Sequence, residues 1–251
     1  MKKKDQKIQE LLPPNDNPKQ DRSPIIPQRT KLKSVLKIFQ RELTEKQKQF
    51  LELASDKTTK IIFVSGPAGT SKTFLAVYHA LTMINEKRVS DLIYVRSAVE
   101  CSDAKLGFLP GEANDKMAPY IQPLLDKLTE LLPRGDIDIL LKEERVTGIP
   151  VGFLRGLNFN AKVIIGDEAQ NMSFKELFTL ITRTGEFSKV FILGDPEQSD
   201  INGRSGFIKM INHFDDEESR LNGIHVFRFT EDDIVRSGLV QFIIRKVKKA
   251  L

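Results

Sequence analysis

The chain has 251 residues, 29% charged and 40% hydrophobic, with a net charge of +5, no Trp and a single Cys. A lone cysteine, Cys101, excludes an intramolecular disulfide framework and a Cys-based zinc site, and it favours a reducing, cytoplasmic setting. No stretch approaches the ~18 consecutive apolar residues of a membrane helix, and no apolar segment follows Lys2, Lys3 and Lys4 as in a signal peptide, so no membrane association is expected.

The charge is uneven. Residues 1–41 hold eleven basic and four acidic side chains, a surplus of +7, whereas 42–251 sum to −2. The same stretch carries Pro13, Pro14, Pro18, Pro24 and Pro27 and few apolar residues before Val35. It can bury too little surface to offset the entropy of ordering it. Residues 1 to about 30 are therefore expected to be a disordered basic arm, and 1–40 are set apart from a domain over 41–251. Such an arm is either a nucleic-acid contact or a solubilising tail.

Thr44 predicts the cap of a short helix, Glu45–Ala54, with apolar Phe50, Leu51 and Leu53. The apolar run Ile61–Val64 predicts a buried strand. Helical spacing of Phe74, Val77, Leu81 and Ile84 predicts a helix over Thr73–Asn85, followed by a strand at Asp91–Val95. Helices are expected at Asp115–Leu132, with proline interruptions, and at Asp136–Glu144. A strand at Val163–Ile165 leads to a helix at Phe174–Arg183, a strand at Val190–Leu193, a helix at Gly206–His213 and a strand at His225–Phe229. A helix over Asp232–Lys249 closes the chain, and Asp215–Glu218 reads as a solvated acidic turn. Apolar strands alternating with helices predict an α/β fold, a mainly parallel sheet covered on both faces. His79, His213 and His225 have no metal-binding spacing; His79 reads as a satisfied core or surface histidine.

Between the first strand and the first long helix lies Gly66-Pro67-Ala68-Gly69-Thr70-Ser71-Lys72-Thr73. Strand, glycine-containing loop, Lys-Thr and helix are the order of a P-loop. Backbone N–H groups of a tight loop and the positive end of a helix dipole cradle a triphosphate. Lys72 would reach the β- and γ-phosphates, and the Thr73 hydroxyl would ligate Mg²⁺. Ser71 stands where glycine is usual before the lysine. It is tolerable if that position has helical dihedrals, since only a positive φ makes glycine strongly preferable.

Two further motifs end later strands. Val163–Gly166 runs into Asp167 and Glu168. Strand alternation would send these carboxylates to different sides, Asp167 to Mg²⁺ and Glu168 to the attacking water as general base. Gly194-Asp195-Pro196-Glu197-Gln198 could present Gln198 to the γ-phosphate or to that water. All three motifs fall at strand carboxyl ends, where ligands of open parallel sheets bind.

Asp167-Glu168-Ala169-Gln170-Asn171 and Gly194-Asp195-x-x-Gln198 resemble superfamily 1 helicase motifs II and III. Over residues 43–248 the chain more specifically resembles the PhoH-like proteins of bacteria and phages. The resemblance is carried by Val95-Arg96-Ser97-Ala98-Val99-Glu100, Leu106–Gly111, Pro119–Leu124, Phe153-Leu154-Arg155-Gly156 and Asp233-Ile234-Val235-Arg236. Departures are Ser71, Gly166 where an apolar residue is usual, and a shortened segment around Ile201–Ser205.

The resemblance implies a RecA-like three-layer P-loop NTPase that binds and hydrolyses ATP with Mg²⁺ and acts as an RNA helicase. Gln47 matches a glutamine that reads the adenine edge, Arg96 a motif that contacts nucleic acid or phosphate, and Arg236 a phosphate sensor or an arginine offered at a subunit boundary. Superfamily 1 helicases use two such domains and this chain has room for one, so a homo-oligomer is expected, a hexamer by family analogy. The alternative is an RNA-binding regulatory module in which nucleotide is a switch with little turnover.

Overall fold

The computed structural model describes residues 32, 34–97, 113–201, 203–235, 238, 239 and 246, with residues 113–120 as backbone only. Six strands form one wholly parallel sheet: β1 (Ile61–Ser65), β2 (Asp91–Arg96), β3 (Val146–Pro150), β4 (Lys162–Gly166), β5 (Lys189–Gly194) and β6 (Ile224–Arg228), in the order β3-β2-β4-β5-β1-β6. Around it lie α1 (Glu45–Ser55), α2 (Lys72–Asn85), α3 (Ala113–Leu131), α4 (Arg134–Lys142), α5 (Phe174–Ile181), α6 (Phe207–Phe214) and α7 (Glu217–Leu221).

The four inner strands are almost wholly buried because both faces are covered. Alternate side chains feed two cores. Ile62, Val64, Leu92, Tyr94, Ile165, Phe191 and Leu193 meet α1 to α4 on one face. Ile61, Phe63, Ile93, Val95, Ile164, Val190 and Ile192 meet α5 and α6 on the other. Thr44 caps α1 in a capping box with Gln47. Phe50 then anchors that helix to the sheet, its ring 5.4–6.1 Å from those of Phe227, Phe191 and Phe229. Burying one such side chain stabilises by about 1.5–3 kcal/mol.

Five expectations need correction. Residues 34–40, assigned to the arm, are fastened to the domain. Leu36 is buried and exchanges two hydrogen bonds with the Asn85 side chain, and Phe39 N donates to Leu131 O at 2.8 Å. Residues 1–31 of the arm lie outside the described residues. Helix α3 runs unbroken through Pro119 and Pro123, with Leu124, Leu128 and Leu131 buried along one side. Strand β3 was not anticipated because Gly148 and Pro150 blur its pattern; both suit a sheet edge, and a Cβ at Gly148 would lie 2.9 Å from Ile121 Cβ of α3. The acidic run forms α7, capped by Asp216, while Asp215 pairs with Arg228 at 2.7 Å. The closing helix does not begin at Asp232: Glu231–Asp233 is a 3-10 turn, and Ile234 is extended.

Candidate nucleotide site

Strands β1, β5 and β4 are neighbours, and their carboxyl ends deliver the three motifs side by side. They open into a cavity of about 450 Å³ lined by residues that include Ala68, Gly69, Ser71, Lys72, Thr73, Asp167, Glu168, Asp195 and Gln198. Gly66 starts the loop with no room for a side chain, since a Cβ would lie 2.7 Å from Phe229 Cβ. Gly69 has φ +92°. Ser71 has φ 67° and ψ 24°, the left-handed region, so the condition that would make serine indifferent there is not met. Burial lowers the Lys72 ammonium from its usual range, against the pull of Asp195, Asp167 and Glu168. Its Nζ donates to Gly66 O at 2.6 Å and Pro67 O at 3.0 Å.

The Thr73 hydroxyl meets both oxygens of Asp167 at 3.1 and 3.2 Å. A hydroxyl and a carboxylate at a loop made for phosphates are a hard-oxygen donor set that suits Mg²⁺. Asp167 is fixed by Tyr94, whose hydroxyl donates to Oδ2 at 2.5 Å. Burial, then the charge and hydrogen bond of Asp167, push the Tyr94 phenol up, so it stays a donor.

Asp167 and Glu168 diverge, but strand alternation is not the cause. The strand ends at Gly166, and Glu168 adopts the left-handed region with φ 53°. Its carboxylate accepts from Gln170 Nε2 at 2.6 Å and pairs with Arg96 at 3.7 Å. Buried Gln170 in turn accepts from Asp195 N at 3.0 Å, and Asp195 accepts from Ala68 N at 3.0 Å. A continuous chain of bonds thus joins Arg96, Glu168, Gln170, Asp195 and the phosphate loop.

Thr70 is buried and donates to Pro67 O, holding the loop rather than facing the cavity. Gln198 lines the cavity. Gln47 is buried, its Oε1 taken by Thr44 N at 3.2 Å, and it is not among the lining residues. Arg236 lies outside the described residues; Val235, before it, donates its N–H to Gly69 O at 3.0 Å. Sequence reading passed over Tyr94, Gln170 and the group Arg41, Phe74, Lys127 and Glu130 at the cavity wall, where Arg41 lies 5.0 Å over the Phe74 ring. A tyrosine in an otherwise apolar strand was the signal for the first.

Residues 40–248 match the family model described as PhoH-like protein. The chain belongs to the PhoH-like family. It is 36% identical over 206 residues to a PhoH-like protein of Mycobacterium tuberculosis, covering 81% of this chain and 56% of that one. A PhoH-like protein of Bacillus subtilis is 33% identical over 202 residues, covering 78% and 61%. The chain spans little more than half the length of these curated relatives. Among solved structures, a Bacteroides Pif1 in complex with ADP-AlF4 aligns over 76% of this chain and 42% of its own, at 16% identity and a TM-score of 0.34. The wholly parallel, helix-covered sheet with the Gly66–Thr73 loop between β1 and α2 gives this PhoH-like chain a P-loop α/β fold. Among the described residues no helix is long and apolar enough to cross a membrane.

Proposed function

We propose that this PhoH-like chain is a Mg²⁺-dependent ATPase that works on RNA or another single-stranded nucleic acid as a homo-oligomer, in the manner of a helicase. The observation that carries the reading is one cavity holding the Lys72 loop, the Thr73–Asp167 pair and Glu168. Gly66 to Thr73 bind the phosphates. Thr73 and Asp167 would hold Mg²⁺, which supplies charge neutralisation and polarisation of the phosphoryl group. Lys72 exchanges the carbonyls of Gly66 and Pro67 for phosphate oxygens. Glu168 takes the proton of the attacking water, once its carboxylate is turned from Gln170 and Arg96. Gln198 orients that water, and Arg236 senses the γ-phosphate from the segment tied to Gly69 by Val235. Arg96, one bond from the base, is suited to report a nucleic-acid phosphate to Glu168.

A second reading, a nucleotide-controlled RNA-binding switch with little turnover, is favoured by the restraint on Glu168 and by the left-handed Ser71. Phosphate release with and without RNA, for the parent and Lys72→Ala, separates them. RNA-stimulated release that falls at least about 10²-fold in Lys72→Ala supports the motor. Tight ATP binding without release supports the switch. Light scattering with ATP and Mg²⁺ that finds only monomer rejects the oligomer.

A further inference from the structure

At the opposite end of the sheet, where β1 and β5 begin, the molecule has a second and larger cavity of about 960 Å³. Its walls come from four places: residues 57–60 ahead of β1, the end of α2 with Arg88, the 158–160 segment and the 184–189 turn. Its described lining residues include Lys57, Lys60, Arg88 and Lys189 and a single acid, Glu186; Arg88 is also paired at 3.3 Å with Glu86, beside the cavity. The phosphate-loop cavity has the reverse balance, with Arg41, Lys72 and Lys127 against Glu130, Asp167, Glu168 and Asp195. A polyanion entering the first cavity needs a divalent cation; one entering the second meets net positive charge directly.

The floor of this cavity holds polar groups fixed by backbone. Asn160 Oδ1 accepts from Glu186 N at 3.0 Å, and Lys189 Nζ donates to Ala54 O and to Asp56 O. The Thr59 hydroxyl is different. It is 2% exposed, lines the cavity and has no hydrogen-bond partner among the described residues. A buried hydroxyl without a partner costs stability. At the rim Phe187 is half exposed and is held by a left-handed backbone, φ 60°, on the turn between α5 and β5. An exposed aromatic beside lysines and an arginine pairs a stacking platform with phosphate contacts.

We infer that this amino-end cavity is a second nucleotide-binding site, separate from the phosphate loop, which takes a phosphate between Lys57 and Lys60 and stacks a base on Phe187. The ligand is a phosphate-bearing nucleotide unit, free or within a single strand, and its binding does not require Mg²⁺.

The test is anisotropy of a short fluorescent oligouridylate titrated with the full chain in EDTA, for the parent, the double variant Lys57→Glu/Lys60→Glu, and Phe187→Ala. The double variant should weaken binding at least tenfold and reduce the salt slope by about 1.4, two phosphate contacts on a single strand. Phe187→Ala should weaken it about tenfold through lost stacking. Uridine 5′-monophosphate identifies the source: if it competes in the parent and not in the double variant, the site takes free nucleotide; if it fails to compete, the site takes a strand. Binding of an ATP analogue with Mg²⁺ is measured on the same proteins and should be unchanged, which shows that they fold and tests the phosphate loop independently. Equal oligouridylate affinity and salt slope in parent and double variant, with no competition by the mononucleotide, would overturn the site.

Discussion

The two ends of the sheet solve opposite electrostatic problems. At the carboxyl end the charges are bound to one another: Lys72 to loop carbonyls, Thr73 and Tyr94 to Asp167, Gln170 and Arg96 to Glu168, Ala68 to Asp195. At the amino end cations outnumber acids, and three buried polar atoms, Thr59 Oγ1, His79 Nε2 and Arg183 Nε, have no partner among the described residues. The first arrangement is pre-organised, and the proposed hydrolysis proceeds there by exchanging one set of bonds for another. The second stores an unmet demand for hydrogen bonds and negative charge. Substitutions at the carboxyl end should therefore act on turnover and on the stability of a fixed network. Changes at the amino end should act on ligand binding and on how stability depends on pH.

The largest effect should come from Glu168→Gln. The amide keeps the size of the side chain and can still meet Gln170 but cannot take a proton. Phosphate release should fall by about 10²–10⁴-fold, with binding of an ATP analogue retained in a filter or calorimetric assay. If release is unchanged, Glu168 is only a tether for Arg96, and the contrast between the ends loses its catalytic half. Next is Tyr94→Phe. It removes a donor from the buried Asp167, and a bond to a charged group contributes about 1.5–3 kcal/mol. Urea unfolding should show a loss of that size; a loss near zero would mean that Thr73 and the Glu168 N–H suffice to hold the carboxylate.

For the amino end the test is acid. His79 is 4% exposed and its ring meets Phe191 edge-on, with centroids 5.8 Å apart. Burial, then Lys189 and Arg88, lower its pKa to about 3 from the ordinary 6.5. The folded chain thus keeps His79 neutral where the unfolded chain takes a proton. Its contribution is complete above pH 6.5 and is lost progressively as pH falls toward about 3. By pH 5 the loss from this residue is about 2 kcal/mol. Urea unfolding at pH 7.5 and pH 5 should show it in the parent, and His79→Leu should remove that pH-dependent part whatever its own stability. An equal loss in the variant would assign the acid sensitivity to carboxylates.

Most of the architecture was legible because the inner strands are continuous apolar runs and α1 announces itself through Thr44 and the apolar Phe50, Leu51 and Leu53. The phosphate loop and the Asp167–Glu168 pair were legible for a similar reason, since strand, loop and helix succeed one another locally. Contacts that join distant segments were not. Tyr94 lies 73 residues from Asp167 and Asp195 lies 127 from Ala68; only the strand order brings them together. Gln47 was read only through the resemblance, which implies an adenine contact; in the structure it completes the cap with Thr44 and is not among the cavity-lining residues. Gly166 looked like a departure in an apolar strand, but a Cβ there would lie 2.6 Å from Leu180 Cδ2, so the Leu180 side chain of α5 fills the space that a side chain at 166 would take.

The smallest predicted effect bears on whether the pre-organisation of the carboxyl end has a cost. Ser71 is left-handed at the start of α2, and its hydroxyl makes no capping hydrogen bond. An L-residue in this region is disfavoured by about 1–2 kcal/mol, while glycine gives back about 0.5–1 kcal/mol through the greater entropy of its unfolded chain. Ser71→Gly should therefore raise stability by no more than about 1 kcal/mol, an increase in melting temperature of about 2–4 °C for a chain of this size. Scanning calorimetry can resolve that shift. A decrease instead would mean that the serine side chain stabilises the loop by more than the backbone strain it imposes. The strain at position 71 would then be compensated within the loop itself, as the charges around it already are.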